Sequence, residues 1–232
     1  MDKKVSILLS TYNEAPVIKK TVDEIFKHVE NAEIVIVDDN SNDGTQEIIK
    51  AIKNDKLKFF SRKERGLASA FLLSLINSSG EVVGWIDSNM NSLVPKLPEM
   101  IKNLEKNEIV LLSRYVDGGG DERSKIRSLS SKVINSVCRI ILSNKIKDYT
   151  SSIFVMRREV LHKVVPISYG HGEFFIEFLY KAQKKGIKIL EIPYVQPPDL
   201  DTISKTANNL FNFFFLGVNY LIRIVTSLFR KN

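Results

Sequence analysis

Apolar positions along this 232-residue chain follow two rhythms that alternate. Short continuous apolar runs occupy residues 5–10, 33–37, 57–61, 81–87 and 109–113. Between them, over residues 15–29, 45–52, 66–77 and 95–107, apolar side chains recur at three- and four-residue spacing, as Val17, Ile18, Val22, Ile25 and Phe26 do in the first stretch. Continuous runs predict buried strands, and the wider spacing predicts helices with one apolar face. Strands alternating with helices imply βαβ units and a mainly parallel sheet, joined by right-handed crossovers.

After Gly118-Gly119-Gly120 the alternation breaks. A long helix over 125–142, a short strand over 153–156, a helix over 174–185 and a strand over 187–194 are predicted, before Pro197-Pro198 marks a loop. The glycine run reads as a mobile loop or as an ordinary connection. With no internal repeat and no low-complexity linker, residues 1–206 form one continuous α/β domain. The tail differs. Residues 207–229 are dense in Phe, Leu and Ile, yet Asn212, Asn219, Arg223 and Ser227 fall on one helical stripe. At about 1.5 Å per residue such a helix is near the minimum length for a bilayer span. The arginine and asparagines argue against a simple span, and Arg230-Lys231 suits a headgroup boundary. Residues 207–232 are therefore expected to form an amphipathic helix lying on a membrane. Packing on the domain, or in a homo-oligomer, is the alternative.

Composition adds direction rather than identity. The net charge of +7 favours anionic partners: nucleotides, phospholipid headgroups or nucleic acid. Nucleic acid is disfavoured, because the basic residues lack RNP, helix-turn-helix or zinc-finger context. Cys138 is the single cysteine, which excludes an intramolecular disulfide and Cys-based zinc sites. Met1-Asp2-Lys3-Lys4 leads directly into an apolar strand without a signal-peptide core, so the expected location is the cytoplasmic face of a membrane.

Three strand ends carry the candidate chemistry: Thr11-Tyr12-Asn13-Glu14, Asp38-Asp39 and Asp87-Ser88-Asn89. In an open α/β sheet, ligands bind at the C-terminal edge of the strands. A crevice there, lined by Tyr12, Glu14, Asp38 and Asp39, can read a nucleobase and ribose. Asp87 and Asn89, two apart on an extended segment, project to one side and can hold a hard divalent cation against a diphosphate. Any one of these acids could instead cap the next helix. Neither GxGxxG nor a P-loop pattern occurs, which disfavours a Rossmann dehydrogenase or a P-loop NTPase. A basic set follows. Arg114 ends the fifth strand, and Arg127 and Ser131 lie four apart on one helical face. Arginine offers a planar fork to phosphate oxygens, and a serine hydroxyl adds a donor. Lys205 would bring a cation to the membrane boundary. His28, His162 and His171 show no metal-ligand spacing.

In order and spacing these segments resemble the inverting family-2 glycosyltransferases of GT-A fold, and within them the dolichol-phosphate mannose synthases. The resemblance covers roughly residues 4–206. It rests on Ser10-Thr11-Tyr12-Asn13-Glu14, on residues 37–45 around Asp38-Asp39, and on Arg65-Gly66-Leu67-Ala68-Ser69-Ala70. Residues 113–120 beginning Ser113-Arg114-Tyr115, Asp148-Tyr149-Thr150-Ser151, Glu191-Ile192-Pro193 and Ser204-Lys205 complete it. The resemblance implies that Thr11, Tyr12, Glu14 and Asp39 hold the nucleotide. Asp87, Asn89 and Asn91 would hold Mg²⁺ or Mn²⁺ with the donor diphosphate. Arg114, Arg127, Ser131 and Lys205 would hold the acceptor phosphate, so transfer would rest chiefly on Asp87, Arg114 and Arg127. The implied reaction moves mannose from GDP-mannose to dolichyl (polyprenyl) phosphate with inversion. Four positions depart from the family pattern. Asn89 replaces the second acid of Asp-x-Asp, Asn91 a glutamine, Ser152 a glycine and Asp199 an arginine. Loss of one formal charge at Asn89 weakens cation binding. These departures leave two further readings: another donor, such as UDP-glucose, or an impaired paralogue serving as a binding or scaffold subunit.

Overall fold

A computed structural model describes residues 3–151, 153–198 and 210–230, with side chains in the last segment from 217 onward. Ser152, Asp199 and Lys205 lie outside the described residues. The strands are β1 (Val5–Thr11), β2 (Ala32–Asp38), β3 (Leu57–Ser61), β4 (Val82–Ile86), β5 (Ile109–Ser113), β6 (Gly120–Asp121), β7 (Ile153–Arg157), β8 (Ile189–Pro193) and β9 (Val195–Gln196). The helices are α1 (Ile18–His28), α2 (Thr45–Ala51), α3 (Leu67–Ile76), α4 (Leu97–Asn103), α5 (Lys125–Ile141), α6 (Glu173–Lys184) and α7 (Leu210–Phe229).

Seven strands form one sheet in the order β3-β2-β1-β4-β7-β5-β8, and β6 and β9 pair separately. β3, β2, β1 and β4 run parallel, as the apolar rhythm of the first half predicts. β7 enters antiparallel between β4 and β5, which is the point at which the alternation breaks in the sequence. Period-two alternation along each strand divides the core between the two faces. Leu8, Val35, Val83 and Trp85 pack on the α3 and α6 side, where Phe71 meets Trp85 edge-on at 5.0 Å and Phe154 stacks on Phe175 at 4.4 Å. Ile7, Leu9, Ile34 and Ile36 pack on the α1 and α4 side. Gly84 sits where a Cβ would stand 2.6 Å from Ile7 Cδ1, so the centre of β4 admits no side chain.

The glycine run is an ordered turn. Gly118 takes φ +85°, Gly119 N–H donates to Val116 O at 2.9 Å, and Gly120 already pairs with Val195. β6 and β9 are two residues each, too short to leave a periodic signature.

Two helices of the second half, α5 and α7, behave unusually. Ile126 (65% exposed), Leu129 (62%) and Ile140 (84%) of α5 project outward, although they are large and apolar. α7 packs against α6 and α5 and is turned the same way. Of its polar stripe, Arg223 and Ser227 face the protein, buried beside Ile224, while Asn219 is exposed, as are Ile222, Val225 and Phe229. Among the described residues, no helix is long and apolar enough to cross a membrane.

Candidate active site

The ends of β1 and β2 are tied to each other before any ligand arrives. Thr11 and Asp38 are partners in the parallel register, and Thr11 Oγ1 donates to Asp38 Oδ2 at 2.8 Å. Ser41 donates to the same carboxylate from its backbone N–H (2.9 Å) and from its hydroxyl. Ser41 Oγ in turn accepts from Asn13 N–H at 2.8 Å. Glu14 N–H donates to Thr45 Oγ1 at 2.8 Å, and Asp43 receives Ala15 N–H at 3.1 Å. Asn13 (φ 55°) and Asn40 (φ 63°) take the left-handed conformation that asparagine tolerates better than most residues, which turns each chain sharply off its strand. Asp38 is fully buried, with both oxygens engaged, so it fixes the two loops relative to each other.

Asp39 is next in line and lies at the edge of the crevice. Its Oδ1 receives Arg62 Nε, and its Oδ2 receives Gly66 N–H at 2.9 Å. Arg62 also donates to Ser69 Oγ (2.9 Å) and Gly66 O (2.6 Å), which locks the start of α3. Arg65 then lies over the Tyr12 ring, 3.6 Å from its centroid, on an aromatic face that a nucleobase could use. The loop before α6 completes this wall: Ala68 N–H donates to Gly170 O at 3.3 Å. His171 in that loop is half-buried, with its Nδ1 shielded from solvent, and this desolvation holds its pKa below the ordinary value; Glu173 opposes this and Arg65 reinforces it. The sequence left His171 without a role, and its placement beside Arg65 depends on a contact more than a hundred residues away in the chain.

Asp87 directly follows β4, half-buried, while Asn89 is exposed and Asn91 half-buried at the start of a 3-10 turn over Asn91–Lys96. Met90 N–H donates to Asp87 O at 2.9 Å, and Thr21 Oγ1 of α1 donates to Ser88 O, so the turn is pinned from below. The Tyr220 phenol of α7 reaches this neighbourhood. Its hydroxyl lies against Gly172, and burial, then the charges of Glu173 and Asp87, raise its pKa. Among the described residues, no three His, Cys, Asp or Glu side chains gather as a metal cage. What the β4 end offers is an open set of hard oxygen donors with one carboxylate. That suits Mg²⁺ or Mn²⁺ only if a diphosphate supplies further oxygens.

On the other side of the sheet, Arg114 is buried and its fork is occupied. Nε and Nη2 donate to the two oxygens of Asp148, each at 2.8 Å, and Nη2 also reaches Thr150 Oγ1 at 2.7 Å. Burial alone would lower the guanidinium pKa, but Asp148 more than reverses this, and the net shift is upward. Glu191 holds the Asp148 loop by accepting Lys147 N–H (2.7 Å) and Asp148 N–H (2.9 Å). Arg127 and Ser131 share one face of α5, both half-buried, and Ser131 Oγ accepts from Arg123 at 2.8 Å. Asn135, one turn further along that face, was not singled out from the sequence. It donates to Thr150 Oγ1 at 2.8 Å and accepts Tyr149 N–H at 2.7 Å, joining α5 to the Arg114 cluster. The arrangement gives a carboxylate-rich crevice on the β1–β4 side and a guanidinium-rich wall on the β5 side.

This sheet order, with polar groups collected at the C-terminal edge of β1, β2 and β4, is that of the GT-A fold. Glucosyl-3-phosphoglycerate synthase from Mycobacterium tuberculosis, solved with Mn²⁺, uridine diphosphate and glucosyl-3-phosphoglycerate, aligns over 100% of this chain and 82% of its own, with a TM-score of 0.74 and 18% identity. That identity speaks for the fold alone. The model of glycosyl transferase family 2 matches residues 6–165, and the chain belongs to that family. A dolichol-phosphate mannosyltransferase of Pyrococcus furiosus is 36% identical over 207 residues, which is 82% of this chain and 56% of the relative. Glycosyltransferase AglD of Haloferax volcanii is 24% identical over 211 residues, 86% of this chain and 34% of the relative. The chain thus spans about half the length, or less, of these relatives.

Proposed function

We propose that the protein transfers a hexose, mannose from GDP-mannose being the favoured donor, to a polyprenyl phosphate at a membrane surface, with inversion. The observation that carries this reading is that Asp87, the carboxylate after β4, and Arg114, after β5, follow strands that end at the same edge of the sheet. The 36% identity to a dolichol-phosphate mannosyltransferase supports the choice of donor and acceptor.

In this reading Tyr12 and Asp39 hold the nucleoside, with Asp38 and Thr11 keeping the two loops in register. Asp87, with Asn89 and Asn91, holds a divalent cation, which when bound offsets charge on the departing diphosphate. Arg127 and Ser131 receive the acceptor phosphate, while Arg114, committed to Asp148, positions the wall behind them. The acceptor phosphate is already anionic at neutral pH. Its oxygen attacks the anomeric carbon as the bond from that carbon to the diphosphate oxygen breaks, and no strong general base is required. Alignment and charge complementarity then carry the rate. The outward apolar faces of α5 and α7 support a membrane-bound acceptor, because large exposed apolar areas on a folded chain mark interaction surfaces.

The test is incubation of the purified protein with Mn²⁺, dolichyl phosphate and labelled GDP-mannose, UDP-glucose and other nucleotide sugars. Label should enter the organic phase from GDP-mannose. Entry only from another donor would overturn the donor assignment, and nucleotide binding without transfer from any donor would overturn the enzymatic reading.

A further inference from the structure

The seam between α6 and α7 holds more positive charge than it neutralises. Glu177 of α6 is buried, and three cations converge on it. Lys181 Nζ stands 2.7 Å from Oε1, Arg223 Nη1 3.1 Å from Oε2, and Arg230 Nη1 3.5 Å from Oε1. Among the described residues, one carboxylate therefore faces three cations. Arg223 is only 8% exposed, and its Nε has no acceptor among the described residues. Its Nη1 also donates to the Tyr169 hydroxyl at 3.3 Å. The guanidinium carbons of Arg223 and Arg230 lie 4.7 and 6.0 Å from the centroid of the Tyr169 ring. Tyr169 and the Arg230 side chain are exposed, so the cluster opens outward past them to a nearly dry Arg223.

Charge buried without a counter-ion is costly, and so is a donor left without an acceptor. A ligand that relieves both must be anionic, with several acceptor oxygens arranged for guanidinium forks, which is the chemistry of a phosphate group. The surroundings add a second requirement. Arg223 and Arg230 lie two helical turns apart, and beside each stands an exposed apolar residue, Ile222 and Phe229. A phosphate entering the seam would therefore bring any attached hydrocarbon against the apolar face of α7.

We propose that the α6–α7 seam is a phosphate-binding site for the headgroup of a membrane lipid, formed by Arg223, Arg230 and Lys181 around Glu177. None of these residues belongs to the donor crevice or to the Arg114–Arg127–Ser131 wall, and the proposal does not depend on which sugar is transferred.

The full chain is tested by sedimentation with three kinds of vesicle: phosphatidylcholine alone, the same with phosphatidic acid, and the same with oleate at matched surface charge. Phosphatidic acid should bind tightest, and Arg230→Gln, at a half-exposed position that leaves the fold intact, should reduce that preference about 5-fold. Tyr169→Phe should reduce it less. Inorganic phosphate, titrated separately and followed by tyrosine fluorescence, distinguishes the sources. Saturable binding that Arg230→Gln abolishes, without any preference for phosphatidic acid, keeps the phosphate site and overturns its lipid assignment. Equal binding to oleate and phosphatidic acid vesicles, unchanged by Arg230→Gln and without phosphate binding, would overturn the site itself.

Discussion

The two halves of the site hold their charges by opposite means. On the β1–β4 side, Asp38 and Asp43 are satisfied by nearby neutral donors, Asp38 by Thr11 and Ser41 and Asp43 by Thr45 and Ala15, while Asp39 alone of the three is paired with an arginine, Arg62. On the β5 side, a guanidinium is satisfied by a carboxylate 34 residues away, and that loop is held by Glu191 from 43 residues beyond. The first arrangement leaves net negative charge at the strand ends, ready for a cation. The second cancels most of its own charge, so Arg114 organises a wall whose more accessible cation is Arg127.

The largest effect should come from breaking the second arrangement. Asp148→Ala leaves the buried Arg114 guanidinium with only the longer, 3.6 Å contact to Asp121 as its ion pair and should cost about 3 kcal/mol of stability in a denaturant titration; a loss below about 1 kcal/mol would mean that Asp121 takes over as the partner of Arg114. Next, Asp87→Ala removes the carboxylate of the β4 end. Transfer should fall at least about 100-fold, or about 2.7 kcal/mol, with the melting temperature nearly unchanged. Retained transfer would dissolve the contrast between the halves.

Glu33 provides a control away from the site. Burial opposes its ionisation, but hydrogen bonds from Lys58, Ser6 and Ser79 outweigh this and hold its pKa at about 2, against an ordinary 4.5. A depressed carboxyl pKa stabilises the fold above pH 4.5, and that contribution is lost as pH falls toward 2. Screening at the half-exposed Lys58 limits it to about 2 kcal/mol. Asp43, Glu108 and Asp121 are also depressed, so the measurement is the difference between Glu33→Gln and the natural chain at pH 5.5 and pH 2.5. Equal slopes would remove Glu33 from the account. A smaller effect sharpens the cation reading: Asn89→Asp adds a carboxylate beside Asp87 and should lower the Mn²⁺ concentration needed for half-maximal transfer. An unchanged metal requirement would show that residue 89 is not a ligand. Smallest of all, Arg65→Ala removes the guanidinium over Tyr12 and should cost under about 1 kcal/mol of stability.

The same contrast explains what could be read in advance. β1 to β5 and α1 to α4 follow from local apolar rhythm, and the acids at the ends of β1, β2 and β4 follow from where those rhythms stop. Asp38 could be placed at the crevice, but not given its full burial, because that depends on Ser41 folding back across a turn. In the second half, signals are weaker and contacts longer. β7 looks like any short strand, and nothing local says that it runs antiparallel between β4 and β5. Asn135 looks like an ordinary polar position on α5 until Thr150 and Tyr149 arrive against it. For α7 the amphipathic stripe is legible in the spacing of its polar residues but its direction is not, since Glu177, the group that draws Arg223 inward, is 46 residues distant.

The position of β4 sets how the site responds to damage elsewhere. It pairs with β1 on one side and with β7 on the other, through Ile86, the residue immediately before Asp87. Its amides are therefore shielded by both neighbours and should exchange with deuterated solvent only when the whole sheet opens. A core substitution far from the edge should lower the fraction of molecules that are folded while leaving Asp87 correctly placed in those that remain. Such variants would lose apparent turnover in proportion to their unfolded population, with the Michaelis constant for the donor unchanged.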